Sequence, residues 1–354
     1  MIGNRLKLAR DASGLSLRDL EAAIQGLVSA QAIGKYERNE MMPGSNVMLT
    51  LSKALKVTPE YLLNTSEIEL AGIDFRKEPH TATKEERAVE AIILDHVERY
   101  LELEELLPGG ELQWLYPENP AYYIDNIEAA EAAADALRQE WQLGIDPIPS
   151  MSVLLEEKGV KVIALNLPID VSGSKAFVNR PKYQDVPVIV VNEKHNGERQ
   201  RFTLAHELAH LVLKFTDMSD KDQEKAADRF AGAFLMAKEM ICSLLGTNRT
   251  SISLGELVEI KKIFKVSIAC IVVRCSQLGI LSKGFYYKIF NHIKSLGWNG
   301  PDSKEPGKLE SEVPQRMKML CLQAVSEGAI TLSRAAELMN ISSRDLDRVM
   351  SQGA

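Results

Sequence analysis

The pentapeptide His206-Glu-Leu-Ala-His210 constrains this chain more than any other stretch. Its surroundings, Phe202, Leu204, Ala205, Leu208, Ala209 and Leu211, are apolar almost all round, which describes a largely buried helix. Four residues apart on a helix, His206 and His210 project from one face and can place two nitrogens on one zinc ion. Glu207 stands beside the same open coordination position, where it can accept a proton from a metal-bound water. A buried surround lowers the local dielectric and strengthens the polarising effect of such an ion. The pattern alone arises by chance in a chain of this length at roughly one in a hundred, given average residue usage. A third ligand therefore has to be found. Downstream, EKAADRFAGAFLM is helical by spacing and sets Glu224 and Asp228 one turn apart. Glu224 can complete a His₂Glu set that leaves a fourth position for water. Asp228 can hydrogen-bond a ligand imidazole from behind and hold its tautomer. The competing reading, two satisfied core histidines, leaves the paired carboxylates unexplained.

The length of 354 residues suggests two or three domains, and 45% hydrophobic with 26% charged residues excludes a disordered or fibrous chain. The net charge of −7 excludes a uniformly basic nucleic-acid coat but leaves room for a local one. Cys242, Cys270, Cys275 and Cys321 form no C-x-x-C pair, so buried reduced thiols are expected rather than a disulfide or cysteine-zinc framework. The opening MIGNRLKLARDASG has no apolar secretory core, and the most apolar window, around Ile268–Val273, is too short to span a membrane. A cytoplasmic location with no membrane contact is expected.

Residues 1–65 read as five short helices. Leu6 and Ala9 lie on one face of the first, and Gly14 ends it. Ser16-Leu-Arg-Asp19 has the form of a capping box for the second, with Leu17, Leu20 and Ile24 apolar. Gly26 breaks the chain, Ser29 caps a third helix over Ala30–Glu37, Leu49, Leu51 and Leu55 carry a fourth, and Thr58-Pro59-Glu60 opens a fifth. The second and third, joined by a tight glycine turn, form a helix-turn-helix unit. VSAQAIGKYE followed by MMPGSNVMLTLSKALKVTPEYLL resembles the Cro/cI-type helix-turn-helix family of phage repressors, over all 65 residues. One departure is Asn39, where that family usually has Gly. The resemblance implies a DNA-binding surface at Ser29, Ala30, Gln31, Gly34, Lys35 and Arg38, with the start of the third helix in the major groove of double-stranded operator DNA. Gln31 would pair with adenine and Lys35 with guanine. Eight basic and six acidic residues give this module +2 and leave −9 for the rest, so phosphate attraction alone is weak. One module reads one half-site, so a homodimer is expected.

Residues 67–82 are aperiodic and read as a linker. A long amphipathic helix follows over Lys84–Leu107, with Ala88, Ile92, Val97, Leu101 and Leu106 as its stripe. It serves either as a coupling or dimerisation helix or as one packed helix of the next domain. Beyond it, a helix over AAEAAADALRQEWQL, a short helix Ser152–Lys158, a strand Val160–Leu165 and two more near Ser174–Asn179 and Val186–Asn192 precede the histidine helix. The fold class expected is mainly α with a small β-sheet, α+β.

RQRFTLAHELAHLVL with EKAADRFAGAFLM resembles the ImmA/IrrE family of metallopeptidases, whose Glu-x-x-Ala-(Asn/Asp)-x-Phe-Ala signature is met by Glu224, Ala227, Asp228, Phe230 and Ala231. PIPSMSVLLEEKGVKVIAL and LVEIKKIFKVSIACIVVRCSQLGIL also match, so the resemblance covers about residues 120–281. The family usually closes its LLMP motif with Pro, whereas here the run is Leu235-Met-Ala237. The resemblance implies a compact zincin-like domain with His206, His210 and Glu224 as zinc ligands and Glu207 as catalytic base. It also implies substrates of the Cro/cI repressor type, cut on DNA damage or another stress.

Four regions follow: a helix-turn-helix domain at 1–66, a linker and connecting helix at 67–119, a peptidase domain at 120–281 and a helical region at 282–354. In the last, Gly297–Gly307 reads as a loop, and Pro314–Ser326, Ser333–Leu338 and Ser342–Val349 as helices. GAITLSRAAELMNISSRDLDRVM has a helix-turn-helix look, turning at Asn340, although an ordinary helical cap explains it better because its arginines are matched by acids. His80, His96 and His292 lack metal-like spacing, and His195, in a loop before the histidine helix, is a weaker candidate for the cleft. Three functional readings stand. One is a DNA-binding regulator with a zinc endopeptidase domain. Another is a transcription factor whose zinc domain senses a small molecule, single-stranded DNA or metal, or serves as a dimer scaffold. The last is a regulator that cuts its own 67–82 linker.

Overall fold

The computed structural model describes residues 2–63, 68–71, 83–180, 183–300 and 303–351. The first five helices are α1 (Ile2–Ala12), α2 (Leu17–Ala23), α3 (Ala30–Glu37), α4 (Ser45–Leu55) and α5 (Pro59–Leu63). Their core is Leu6, Leu20, Ile33, Leu51 and Leu62, all fully buried. The Ser16–Asp19 capping box forms, with Asp19 N donating to Ser16 Oγ at 3.1 Å and Ser16 N to Asp19 Oδ2 at 2.8 Å. Ser29 Oγ accepts from Ala32 N at 3.2 Å and starts α3. Asn39 adopts φ +57° beyond α3, a left-handed position that Asn tolerates, which explains how it replaces Gly there. Its Oδ1 also accepts Gly3 N at 2.8 Å, locking α1 to the end of α3. Gly3 is required by that contact, because a Cβ would stand 2.6 Å from Tyr36 O.

Next come β1 (Glu69–Ala71) and α6 (Thr83–Leu106). A short 3-10 turn at Pro120–Tyr122 leads to β2 (Tyr123–Ile124), α7 (Ala130–Glu140), α8 (Met151–Glu157), β3 (Lys161–Leu165), β4 (Gly173–Asn179), β5 (Val186–Asn192), α9 (Gly197–Val212) and β6 (Lys214–Phe215). The helices α10 (Asp220–Leu235), α11 (Lys238–Leu245), α12 (Leu254–Phe264), α13 (Ile268–Gln277) and α14 (Lys283–Ser295) complete the main core. The chain ends in α15 (Arg316–Ser326), α16 (Leu332–Leu338) and α17 (Ser343–Ser351). This is an α+β architecture, mostly helical.

The main sheet has the order β1-β4-β5-β3, with β3 and β5 parallel and the other pairs antiparallel. VPVIVVN, wholly buried, is its central strand. Because side chains alternate, Val186, Val188 and Val190 join Ala176 and Val178 on one face, while Ile189 and Val191 face the other way. The first face packs on α6 through Ile93, Val97 and Leu101, and the second on α9. The long helix is thus packed within the chain. Its buried stripe differs from the expected one: Ile93 is buried where Ile92 was expected, and Tyr100, Leu103 and Leu107 face α15 and α16. The helix has two neighbours, so a single amphipathic stripe did not describe it. On its remaining side it meets the first domain, where Arg5 of α1 pairs with Glu98.

The segment expected to be an aperiodic linker contains β1, which adds a strand to the sheet with Glu69 opposite Asn179, Leu70 opposite Val178 and Ala71 opposite Phe177. Residues 64–67 and 72–82, including His80, lie outside the described residues. Between α14 and α15, residues 303–315 run as an extended strap over the main core. Glu305 Oε2 accepts Ile268 N at 2.9 Å, and Glu312 takes Met151 N and Ser152 N at the start of α8. Arg201 of α9 donates to Glu312 Oε1 at 2.7 Å, so the strap also braces the histidine helix. In the terminal helices, Asn340 adopts φ +51° at the turn, and of α17 only Leu346 is buried. The four cysteines are free thiols, and burial pushes Cys270 and Cys275 up to about 12. No helix among the described residues is long and apolar enough to cross a membrane.

Candidate functional site

Asn196 caps α9, its Oδ1 accepting Arg199 N at 2.9 Å, and Lys175 of β4 donates to His210 O at 3.0 Å near the other end. Between these anchors Leu204, Ala205, Leu208 and Ala209 are fully buried and press α9 against the sheet and α10. The α10 face towards the core is Ala226, Ala227, Phe230, Ala231 and Phe234. Small alanines on both helices allow close approach, which brings Glu224 and Asp228 against the histidines.

His206 Nε2 and His210 Nε2 are 3.3 Å apart. Glu224 Oε2 lies 3.6 Å from the first and Oε1 3.7 Å from the second. A tetrahedral ion with bonds of about 2.0–2.2 Å separates its ligands by about 3.3–3.6 Å, close to these spacings, with Glu224 approaching each histidine through a different oxygen. The donor set is also suited to a cation, being two imidazole nitrogens and a carboxylate around one point. Asp228 Oδ1 is 2.8 Å from His206 Nδ1, which holds a ring proton there and leaves Nε2 facing His210 and Glu224. Burial opposes a charged His206 ring, but Asp228, Glu224 and Glu207 outweigh it and raise its pKa to about 9. The pocket therefore attracts positive charge. Glu207 is buried, whereas the Glu224 and Asp228 side chains are 44% and 57% exposed, so the site opens on the α10 side.

Two aromatic rings flank the histidines: Phe202 is 6.5 Å from His206 and Phe215 5.7 Å from His210, measured between ring centroids. Phe215 is held there by the parallel pairing of β6 with β2. The sequence reading named neither Phe215 nor Lys175 as part of the site, since both reach it through tertiary pairing. His195 does not join: it is buried with Nε2 2.9 Å from Ile169 O, and burial lowers its pKa. His96 sits on α6, pushed down to about 3 by burial and then by Arg99, and His292 is exposed.

On the first domain, Gln31, Lys35 and Arg38 are exposed along α3, and Ser29 caps it. Arg38 is engaged with Glu40 at 2.7 Å. Gly34 is buried, and a Cβ there would meet Leu17 Cδ1 at 3.5 Å. Its nearest neighbour in that direction is Arg38 Nη1 at 3.2 Å, so Gly34 lies covered beside the arginine rather than open on the face expected to meet bases.

The protein class follows from these two sites: a helix-turn-helix reader joined to a peptidase-like domain. Comparison with known families agrees. The helix-turn-helix family model matches residues 6–62, and that of the IrrE N-terminal-like domain matches residues 155–276. The chain thus joins a segment similar to helix-turn-helix domains to a later segment similar to the ImmA/IrrE-type metallopeptidase-family domain. No curated protein is found to match it.

Proposed function

We propose that this protein is a DNA-binding regulator whose second domain is a zinc-dependent endopeptidase. The observation that carries the reading is the convergence of His206, His210 and Glu224, with Glu207 beside them and Asp228 behind. Zinc, when bound by these three residues, polarises a scissile carbonyl and acidifies a water. Glu207 accepts the proton of the attacking water and delivers it to the departing amine. Asp228 holds the His206 tautomer, and Phe202 and Phe215 screen the centre from bulk water. The substrate is a protein, of the helix-turn-helix repressor type that the family resemblance implies, cut in response to stress such as DNA damage. The chain's own linker is the alternative substrate. The reader domain presents Gln31 and Lys35 to base edges of operator DNA, and a homodimer spans two half-sites.

The test is Glu207→Gln, assayed against a purified helix-turn-helix repressor and for self-cleavage by intact mass. Zinc content should stay at the wild-type level while cleavage falls by about 10²–10⁴. Undiminished cleavage would refute the role of Glu207. A second reading makes the peptidase-like domain a sensor or scaffold with little proteolysis. The observation favouring it is that α1 packs on α6, which itself lies on the peptidase sheet, so the reader and the metal domain share one support. It expects operator affinity to change with metal or effector, equally in wild type and Glu207→Gln.

A further inference from the structure

The last two helices repeat the geometry of the reader. α16 and α17 are seven and nine residues long, where α2 and α3 are seven and eight. Thr331 Oγ1 accepts Arg334 N at 3.2 Å at the start of α16, as Ser16 Oγ accepts Asp19 N before α2. Ser342 Oγ accepts Asp345 N at 3.1 Å at the start of α17, as Ser29 Oγ accepts Ala32 N before α3. The turns agree as well. Asn340, at φ +51°, donates to Glu337 O, and Ile341 N donates to Ala336 O, both at 3.0 Å. In the reader Gln25, at φ +56°, donates to Ala22 O and Gly26 N to Glu21 O. Such paired bonds stop one helix and aim the chain into the next. Counting from each cap, the fourth residue of the second helix is buried, Ile33 in one pair and Leu346 in the other. Residues 331–351 lie beyond both family-model matches.

The surfaces of the pair show what this shape is free to do. α16 turns Ala335, Ala336 and Leu338 into the cluster it shares with α6 and α15. A helix that only caps a core buries a stripe, whereas α17 buries Leu346 alone and leaves Ser343, Arg344, Asp347 and Arg348 in the open. Arg344 and Arg348 occupy the positions that Gln31 and Lys35 hold on α3. Neighbouring acids do not tie them down. Arg344 has no hydrogen bond or ion pair among the described residues. Arg348 Nη1 is 3.7 Å from Asp345 Oδ1 with both side chains more than half exposed, a pair worth little. Arg334, by contrast, is committed to Glu102 and Glu337. Thr58 Oγ1 of the reader donates to Glu337 Oε1 at 2.8 Å, so α16 stands on the reader itself.

We propose that α16 and α17 are a second DNA-reading unit, in which α17 enters the major groove of double-stranded DNA and presents Arg344 and Arg348 to guanine O6 and N7. Asp347 offsets phosphate attraction on this helix, so the unit acts with the reader and not alone. Binding through α3 supplies the effective concentration that α17 needs. One chain then reads two unlike sequence blocks, and the contact of Thr58 with Glu337 keeps their spacing constant. The proposal rests on the operator reading of α3 for the first block and is independent of the peptidase.

The full chain is used to enrich duplexes from a pool with a random core of about 40 bp, some four helical turns. Two variants are run beside it, Arg344→Ala/Arg348→Ala and Gln31→Ala/Lys35→Ala. Wild type should enrich two unlike blocks at one spacing, the second containing guanines. Scrambling the second block should weaken wild-type binding about tenfold or more and leave the Arg344→Ala/Arg348→Ala chain unmoved. Both arginines are exposed, so that chain should keep the wild-type melting midpoint. The Gln31→Ala/Lys35→Ala chain should lose its response to the first block; a retained response would fail the α3 reading and not this one. A wild-type motif of two equal half-sites alone, no enriched duplex, or an arginine variant equally weakened by the scramble would each overturn the proposal. Identical duplexes enriched by wild type and the arginine variant would overturn it too and leave α17 to a protein partner.

Discussion

At the scale of the residue, Asp228 distinguishes the proposed metal site from a pair of core histidines. A carboxylate 2.8 Å from His206 Nδ1 directs the other nitrogen inward, which core packing would not demand. Asp228→Asn should weaken zinc affinity by about 10–100-fold, measured by competition with a chelating dye, and leave the fold intact. An affinity unchanged within twofold would show that the contact is incidental. The candidate ligand pair His206 and His210 was legible because spacing on one helix is a local property. Glu224 and Asp228 were legible as one turn of a second helix, although the distance between the two helices was not. Asn39 shows a different limit. Its departure from the family pattern was visible, but its Oδ1 contact to Gly3 N pairs residues 36 positions apart, which no local pattern encodes.

At the scale of the element, the strap of residues 303–315 matters more than its loop-like sequence suggested. Glu312 is 8% exposed and accepts from the start of α8 and from Arg201, which is 1% exposed. Burial works against its ionised form, but Arg201 and the backbone donors prevail and hold its pKa below the usual carboxylate value. Glu312→Gln leaves a buried guanidinium without a counter-charge and should cost about 3–5 kcal/mol in denaturant unfolding. A folded pKa below the unfolded one means that the ionised group stabilises at pH above about 4.3, and that this is lost as pH falls through the lower folded value. The stability gap between wild type and Glu312→Gln should therefore narrow below about pH 4. A gap independent of pH would assign the cost to packing alone. The signal for β1 was present: Ile68 and Leu70 alternate with acidic neighbours, which is strand period. It was too short to stand out, and only the sheet edge beside it makes it a strand.

At the scale of the molecule, the peptidase-like domain is built around α9, so the proposed metal binding should stabilise the whole of it. Zinc at a thousand times its dissociation constant adds about 4 kcal/mol to the native state by mass action. Chelation should therefore lower the melting midpoint by several degrees, read by calorimetry, and His206→Ala should abolish that difference. A midpoint insensitive to chelation in wild type would argue against a resident metal. Periodicity and spacing alone established an α+β chain, the five-helix reader, the two site helices and the residues they carry, because each rests on contacts within one or two turns. Placement was decided in three dimensions: α6 against both the sheet and α15, Gly34 on the buried side of α3, His195 turned away from the cleft, Lys175 against His210 and β1 on the edge of β4. Those arrangements depend on which surfaces meet when distant segments collapse, and chain-local patterns carry no record of the partner.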